Sequence, residues 1–114
     1  MRDYTTDLVE LRRRIGEAAT YLKVDASRAR LLELEAEISR PDLWDDQEHA
    51  KAVNSEYAAL KDDVAEFDGL SRAIEDLEVL HELAREADDA SQEPELDRGV
   101  ASCGDRLQIG RAHV

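Results

Sequence analysis

Acidic side chains crowd a short segment near position 45, and carboxylates are the ligands that hard cations such as Mg²⁺ or Ca²⁺ prefer. Asp45, Asp46 and Glu48 lie in this segment. An EF-hand calcium loop also needs alternating oxygen ligands, a central glycine and a distal glutamate, which the segment does not supply. The spacing Asp45-x-x-Glu48 instead resembles a capping box, in which Asp45 or Asp46 accepts the free amides of a new helix. We therefore interpret the segment as a helix cap.

A second run of carboxylates lies further along the chain, at Asp62, Asp63, Glu66 and Asp68. The run falls within one predicted helix, where consecutive charges usually form a face that points into solvent. A surface for a basic partner is the alternative. We favour the solvated face.

The histidines and the single cysteine do not form a reactive or metal-binding pattern. His49 and His81 are 32 positions apart, and neither has a cysteine or a second histidine at helical spacing. Zinc sites require such clusters. Cys103 has no companion histidine that would activate its thiol. We therefore predict no catalytic, cofactor-binding or metal-binding residue, and no cofactor.

Trp44 is the only tryptophan of the chain. Tryptophan can stack on nucleic-acid bases, but such sites combine the aromatic ring with flanking Lys and Arg. No basic side chain flanks Trp44 directly. We predict that it is a hydrophobic plug near the start of a long helix.

The elements that carry these residues are predicted to be helices. The chain has 114 residues, which suits one domain, and only 4% of them are aromatic. A broad sheet core relies on aromatic and β-branched side chains. Alanine, leucine, glutamate and arginine dominate instead, and these residues lose little entropy in a helix. The composition predicts an all-α fold.

The net charge of −13 is unevenly distributed along the chain. Residues 41–97 contain four basic and nineteen acidic side chains, which gives −15 for that segment. Nucleic-acid binding depends largely on neutralising phosphates with Lys and Arg. We therefore expect that this segment does not bind nucleic acid directly.

The sequence also bears on the compartment in which the protein works. One cysteine excludes a disulfide framework, and the longest apolar runs are only a few residues. The start Met1-Arg2-Asp3 resembles neither a signal peptide nor a membrane span. We expect a cytoplasmic protein that does not contact a membrane.

Two shorter helices precede the long one. Apolar residues recur at steps of three and four from Asp7 to about Leu22, and Asp7-x-x-Glu10 resembles a capping box. A second helix follows an Asp25 cap and ends near Ser39, because Pro41 disfavours helix at the preceding residue. Its predicted buried face consists of Ala29, Leu31, Leu32, Leu34 and Ile38.

The third helix is predicted to be the longest. Its apolar positions fall at coiled-coil spacing: Val53, Tyr57, Leu60, Val64, Phe67, Ser71 and Ile74. A further stripe continues through Leu77, Leu80, Leu83, Ala84 and Ala87. Gly69 weakens the helix by about 1 kcal/mol relative to alanine. Residues 88–94 read as a loop.

Four segments, in this order and spacing, carry a resemblance to a known family. They are Tyr21-Leu22-Lys23-Val24-Asp25, Leu31-Leu32-Glu33-Leu34-Glu35, Pro41-Asp42-Leu43-Trp44-Asp45-Asp46 and Asp76-Leu77-Glu78-Val79-Leu80-His81-Glu82-Leu83-Ala84. Over residues 4–95 the chain resembles the amino-terminal helical domain of bacterial peptide chain release factor 2, a class I release factor.

The resemblance implies an accessory domain of a translation termination factor that promotes peptidyl-tRNA hydrolysis at UGA and UAA stop codons. The family's Ser-Pro-Phe decoding loop and its Gly-Gly-Gln loop do not occur in the sequence. The resemblance therefore implies that the chain is not itself an enzyme. The implied partners are the stalk base of the large ribosomal subunit and the GTPase release factor 3.

The resemblance also predicts how the chain is divided. Residues 1–95 are expected to form the helical domain, and residues 96–108 a tail that is either native or frameshifted. Residues 109–114 are the translation of ATCGGAAGAGCACACGTC, which resembles a common sequencing adapter. Residues 98–104 show no helical period. We therefore expect a truncated antiparallel helical bundle or coiled-coil module without the family's returning helix.

A missing helix would leave the apolar stripe of the long helix partly uncovered. The stripe would then favour weak self-association that strengthens as salt screens the negative charge. The alternative to a release factor is a free-standing acidic coiled-coil adaptor or scaffold, for which heptads and negative charge would suffice.

Overall fold

A computed structural model describes the backbone of residues 1–112 and the side chains of residues 1–109. Over that range the chain forms four α-helices and two short 3₁₀ helices. The α-helices are α1 (Thr5–Tyr21), α2 (Val24–Ile38), α3 (Gln47–Ala87) and α4 (Glu93–Ala112), and the 3₁₀ helices span Leu43–Asp45 and Ala90–Gln92. The predicted all-α fold is confirmed. No helix in the described range is long and apolar enough to span a membrane.

The chain divides into two compact units. The first, unit 1, comprises Met1–Leu22 and Asp68–Val114, and the second, unit 2, comprises Lys23–Phe67. Helix α3 supplies its first part to unit 2 and its remainder to unit 1.

Unit 1 is held by one apolar face on each of its helices. Helix α1 buries residues at steps of three and four, which is the spacing of one helical face: Leu8, Leu11, Ile15 and Ala18. Ile74 of α3 and Leu96 of α4 are fully buried. Helices α1 and α3 are antiparallel, because Thr5 contacts Arg85 while Arg12, seven residues later, pairs with Glu78, seven residues earlier.

Helix α4 corrects the prediction for the C-terminal segment. Residues 98–104 were expected to lack helical structure, but they lie in the middle of this helix. Its buried positions Leu96, Cys103 and Leu107 are separated by seven and four residues, the spacing of one helical face. Gly99 and Gly104 hide that pattern in the sequence because they carry no apolar side chain. The adapter origin of residues 109–114 stays a prediction, and residues 113–114 lie outside the described range.

Gly99 has a packing role that explains its presence in a helix. A Cβ atom added there would lie 2.3 Å from Leu77 Cδ2 and 3.1 Å from Leu77 Cγ. Glycine therefore allows α4 to approach the buried Leu77 of α3 closely. The returning helix expected to be missing is present and packed.

The apolar stripe predicted on the long helix is therefore covered. Ile74 is fully buried in unit 1, and Val53 and Val64 are buried in unit 2. The physical basis for expecting self-association is thus wrong. The oligomeric state itself stays a prediction.

Unit 2 is an antiparallel pair formed by α2 and the first part of α3. Its core consists of Leu34, Leu43, Ala50 and Val53, with Ile38, Tyr57 and Leu60 packed against it. Arg30 donates two hydrogen bonds to the Glu56 carboxylate, at 2.7 and 2.8 Å. Leu32 was predicted to be buried but is 68% exposed, because it lies on the opposite side of α2 from Leu34. Ala29, also predicted to be buried, is exposed as well.

The starts of the first two helices also differ from the sequence prediction. Helix α1 begins at Thr5, and Asp3 rather than Asp7 accepts the Thr5 amide at 2.9 Å. Helix α2 begins directly after Lys23, whose φ of 54° is left-handed, so Asp25 lies inside the first turn. An acidic residue there is still favoured by the positive end of the helix. The end of α2 at Ile38, just before Ser39, confirms the predicted stop.

Two glycines of unit 1 should respond oppositely to alanine. Gly16 lies in α1 with no atom within 4 Å of an added Cβ, so Gly16→Ala should raise the free energy of unfolding by about 0.5–1 kcal/mol. Gly99→Ala must displace the Leu77 side chain and should lower it by about 1 kcal/mol despite the better helix propensity. Urea unfolding followed by circular dichroism measures both. Equal stabilisation by the two variants would contradict the close approach at Gly99.

Candidate functional site

The segment between α2 and α3 is a hydrogen-bonded turn with one buried and one exposed apolar side chain. The Leu43 amide donates to the Arg40 carbonyl at 3.3 Å, and the Asp45 amide donates to the Asp42 carbonyl at 3.1 Å. Leu43 is 7% exposed and belongs to the core of unit 2. Trp44 points the other way and is 61% exposed. The predicted hydrophobic plug is therefore Leu43, and the prediction for Trp44 is wrong.

The predicted cap of α3 is present at one of the two candidate residues. Asp46 has an extended backbone, and its carboxylate accepts the His49 amide at 3.1 Å. This is the geometry of an N-cap residue that bonds the third helical amide. Asp45 lies in the preceding 3₁₀ helix, so the predicted Asp45-x-x-Glu48 capping box does not form.

Four carboxylates lie close to the exposed tryptophan along the chain. Asp42, Asp45, Asp46 and Glu48 are all exposed. Asp42 pairs with Arg40 at 3.4 Å, and Asp46 is engaged as the cap. Within the described residues, Asp45 and Glu48 form no ion pair. This segment therefore combines an exposed apolar ring with exposed carboxylates, and its neighbour Arg40 is already paired with Asp42. We call it the Trp44 turn, meaning residues 42–48.

The second acidic run is only partly a solvated face. Asp62, Asp63 and Glu66 are exposed on α3, as predicted for such a face. Asp68 is half-buried and has an interaction partner. In the described part of the chain, no group of three or more His, Cys, Asp or Glu side chains is arranged to hold a metal ion.

His49 and His81 have different surroundings. His49 is exposed, and its Nε2 lies 3.4 Å from the Glu37 carboxylate. His81 is buried in unit 1, where its Nε2 accepts the Tyr4 amide at 3.0 Å. The same Nε2 lies 3.6 Å from the Asp3 carboxylate. His81 is therefore a structural residue that fixes the start of α1.

A polar cluster around Tyr4 was not predicted from the sequence. The Tyr4 ring meets the His81 ring edge-on at 5.6 Å, and its hydroxyl donates to the Asp97 carboxylate at 2.6 Å. The Arg2 guanidinium lies 4.5 Å from the ring centroid and 2.7 Å from Asp97. Burial and the neighbouring Asp97 raise the pKa of the Tyr4 phenol. A sequence signal exists, since Tyr4 extends the apolar series of Leu8 and Leu11 by one step.

Cys103 is buried in α4, and burial raises the pKa of its thiol. A raised pKa leaves little thiolate at neutral pH. The thiol is therefore a packing group in the core of unit 1, which explains its place in the series with Leu96 and Leu107.

Comparison of the sequence with known proteins assigns the chain to a family. Residues 27–109 match the family model of the PCRF domain. The chain belongs to the PCRF domain family. The matched range includes the Trp44 turn, all of α3 and the larger part of α4.

The relatives of this PCRF domain chain are release factors by name. Peptide chain release factor 2 of Saccharopolyspora erythraea is 40% identical over 95 residues, which are 83% of this chain and 26% of that protein. The protein of the same name from Mycolicibacterium smegmatis is 32% identical over 106 residues, or 93% of this chain and 29% of that protein. That of Yersinia pseudotuberculosis is 44% identical over 69 residues, or 60% and 19%.

These relatives confirm the resemblance to release factor 2. The PCRF domain chain spans about a quarter of the length of the curated relatives that it matches.

The cap of α3 leads to a matched pair of variants. Asp46→Ala removes an amide acceptor and a negative charge at the positive end of the helix, and should lower the free energy of unfolding by about 1 kcal/mol. Asp45→Ala, on the neighbouring exposed residue, should change it by less than about 0.5 kcal/mol. Thermal melts by circular dichroism compare them. Similar losses from both would argue against a specific cap.

The Tyr4 cluster should make the PCRF domain sensitive to alkali. Because the pKa of Tyr4 is raised in the folded state, its stabilising effect is complete below the ordinary tyrosine pKa of about 10. It is lost as the pH rises through the folded-state pKa. Tyr4→Phe should cost about 1 kcal/mol at neutral pH through the lost hydrogen bond, and its stability should then fall less between about pH 9 and pH 12 than that of the wild type.

Urea unfolding at several pH values tests this prediction. The matched control is Tyr21→Phe, which removes a half-buried phenol from the last residue of α1, the helix that Tyr4 precedes. Because this control keeps the Tyr4 phenol and its bond to Asp97, its stability should still fall in alkali. An unchanged pH dependence in Tyr4→Phe would show that the phenol proton is not linked to folding.

Proposed function

We propose that this chain is the helical accessory domain of a translation termination factor. The observation that carries the proposal is the family match over residues 27–109, which covers most of the described helices. The names of the relatives add support, because the proteins aligned over most of the chain are called peptide chain release factor 2. The match favours this function over a free-standing acidic adaptor or scaffold.

The whole factor would promote hydrolysis of peptidyl-tRNA on the ribosome at UGA and UAA stop codons, in the cytoplasm. The present chain would contribute binding and not chemistry. In support, the carboxylates that accept the Thr5 and Ser91 hydroxyls also accept the amides of those residues at helix starts, and the buried groups His81 and Cys103 are engaged in packing. The Ser-Pro-Phe and Gly-Gly-Gln tripeptides do not occur in the sequence.

The proposed partners are the stalk base of the large ribosomal subunit and the GTPase release factor 3. The charge of the chain supports protein contacts over contacts to RNA. Residues 41–97 carry four basic and nineteen acidic side chains. A surface of that sign repels phosphate and attracts the basic side chains of a protein.

A fusion protein tests the proposed function. The segment of the Saccharopolyspora erythraea factor that matches this chain would be replaced by residues 1–109, and formyl-methionine release would be measured on ribosomes programmed with UGA. The comparison variant lacks the segment altogether. The fusion should release faster than the deletion variant, because it regains a ribosome-binding domain. Equal rates would contradict the proposal.

The isolated chain provides the complementary measurement. The purified 114-residue chain should release no formyl-methionine above background from the same ribosomes. The physical reason is that it lacks groups for reading the codon and positioning water. Release that depends on the stop codon would show that the chain is catalytic, contrary to the proposed accessory role.

A further inference from the structure

Trp44 stands out among the exposed apolar side chains of unit 2. It is 61% exposed, and Leu32 of the same unit is 68% exposed. Single exposed aliphatic residues are common on protein surfaces and need no functional explanation. A tryptophan is different, because it offers a large apolar area, loses little entropy on binding and is enriched among the residues that dominate interface energies.

The backbone around Trp44 is held by hydrogen bonds and by packing within unit 2. Leu43 anchors the turn in the core of unit 2, and two backbone hydrogen bonds close it, from Leu43 to Arg40 and from Asp45 to Asp42. Asp46 joins the turn to the start of α3 through the His49 amide. A side chain held on a rigid turn binds with a smaller entropic cost than one on a flexible loop. Nothing in this arrangement requires a tryptophan for folding, since Leu43 fills the core.

The charges around Trp44 select the kind of partner. Asp45 and Glu48 are exposed and form no ion pair in the described chain, so both can meet a cation. Phosphate would be repelled by these carboxylates, which argues against stacking of Trp44 on an RNA base. A second copy would bring the same negative surface to itself, on a chain whose net charge is −13. A surface rich in lysine and arginine has the complementary charge.

We propose that Trp44 is the apolar anchor with which this chain docks onto a lysine- and arginine-rich protein of the large ribosomal subunit, with Asp45 and Glu48 pairing with basic side chains around it. This inference rests on the proposed function, which names the ribosome as the binding partner. It adds the contacting residues and the chemical class of the partner. Asp46 is left out because its carboxylate is engaged as the cap.

Co-sedimentation with isolated large ribosomal subunits tests the anchor. Trp44→Ala should weaken binding of the 114-residue chain by about tenfold or more, as expected for a central interface tryptophan. The matched control Leu32→Ala removes an equally exposed side chain from the same unit and should bind as the wild type. Circular dichroism melts should show that both variants fold, because both side chains point into solvent.

The charge requirement has its own variant. The double substitution Asp45→Asn and Glu48→Gln should weaken binding severalfold at low salt and reduce its salt dependence, because exposed charges act through screened attraction. Binding of the wild type should decrease as salt is added. Stronger binding of the double variant would contradict the predicted basic partner.

Photocrosslinking distinguishes a protein partner from RNA. With Trp44→p-benzoylphenylalanine, irradiation on large subunits should yield a crosslink to a basic ribosomal protein, whereas the same substitution at Leu32 should yield none. A crosslink from position 44 to ribosomal RNA would overturn the inference. So would undiminished binding of Trp44→Ala, while leaving the proposed function in place. If the wild-type chain did not bind the large subunit at all, the proposed function would fail, and the inference with it.

Discussion

Burial of the apolar face of α3 is the constraint on which the rest of the described structure depends. A helix of 41 residues gains little stability from intrinsic propensity alone, since most helical stability in proteins comes from packing of an amphipathic face. In unit 2, α2 covers this face, and Ala50 and Val53 are nearly inaccessible. In unit 1, α1 and α4 cover this face, and Ile74 is fully buried.

The same constraint shapes the Trp44 turn. An antiparallel partner for the first part of α3 requires the chain to reverse between Ile38 and Gln47. Pro41 ends helical structure there, and a single 3₁₀ turn returns Leu43 to the core. Successive side chains in a 3₁₀ turn point in different directions, and here Trp44, after the buried Leu43, faces solvent. The exposed position of Trp44 is therefore a consequence of how α2 and α3 pair.

Polar contacts add specificity to this apolar packing. The paired Arg30 and Glu56 in unit 2, and Arg12 and Glu78 in unit 1, lie at partly exposed helix seams, where ion pairs contribute little stability but favour one alignment. The contact between Tyr4 and His81 is of another kind, because it is buried and supplies an acceptor for the Tyr4 amide just before α1. It joins residues separated by 77 positions.

The sequence by itself determined the features that depend on local periodicity and composition. Helix α2 ends where Pro41 requires it, α3 runs to Ala87 as its apolar spacing indicates, and four short segments were sufficient for the resemblance to release factor 2. Each of these features depends on residues within a few helical turns of one another. The tertiary structure decided what depends on distant neighbours. Helix α4 has a weak period because Gly99 must accommodate Leu77, and adjacent residues Leu43 and Trp44 differ in burial only because α2 and α3 pair on one side of the turn. Tyr4 and His81 belong to segments that meet only after folding, so neither residue alone reveals the contact between them.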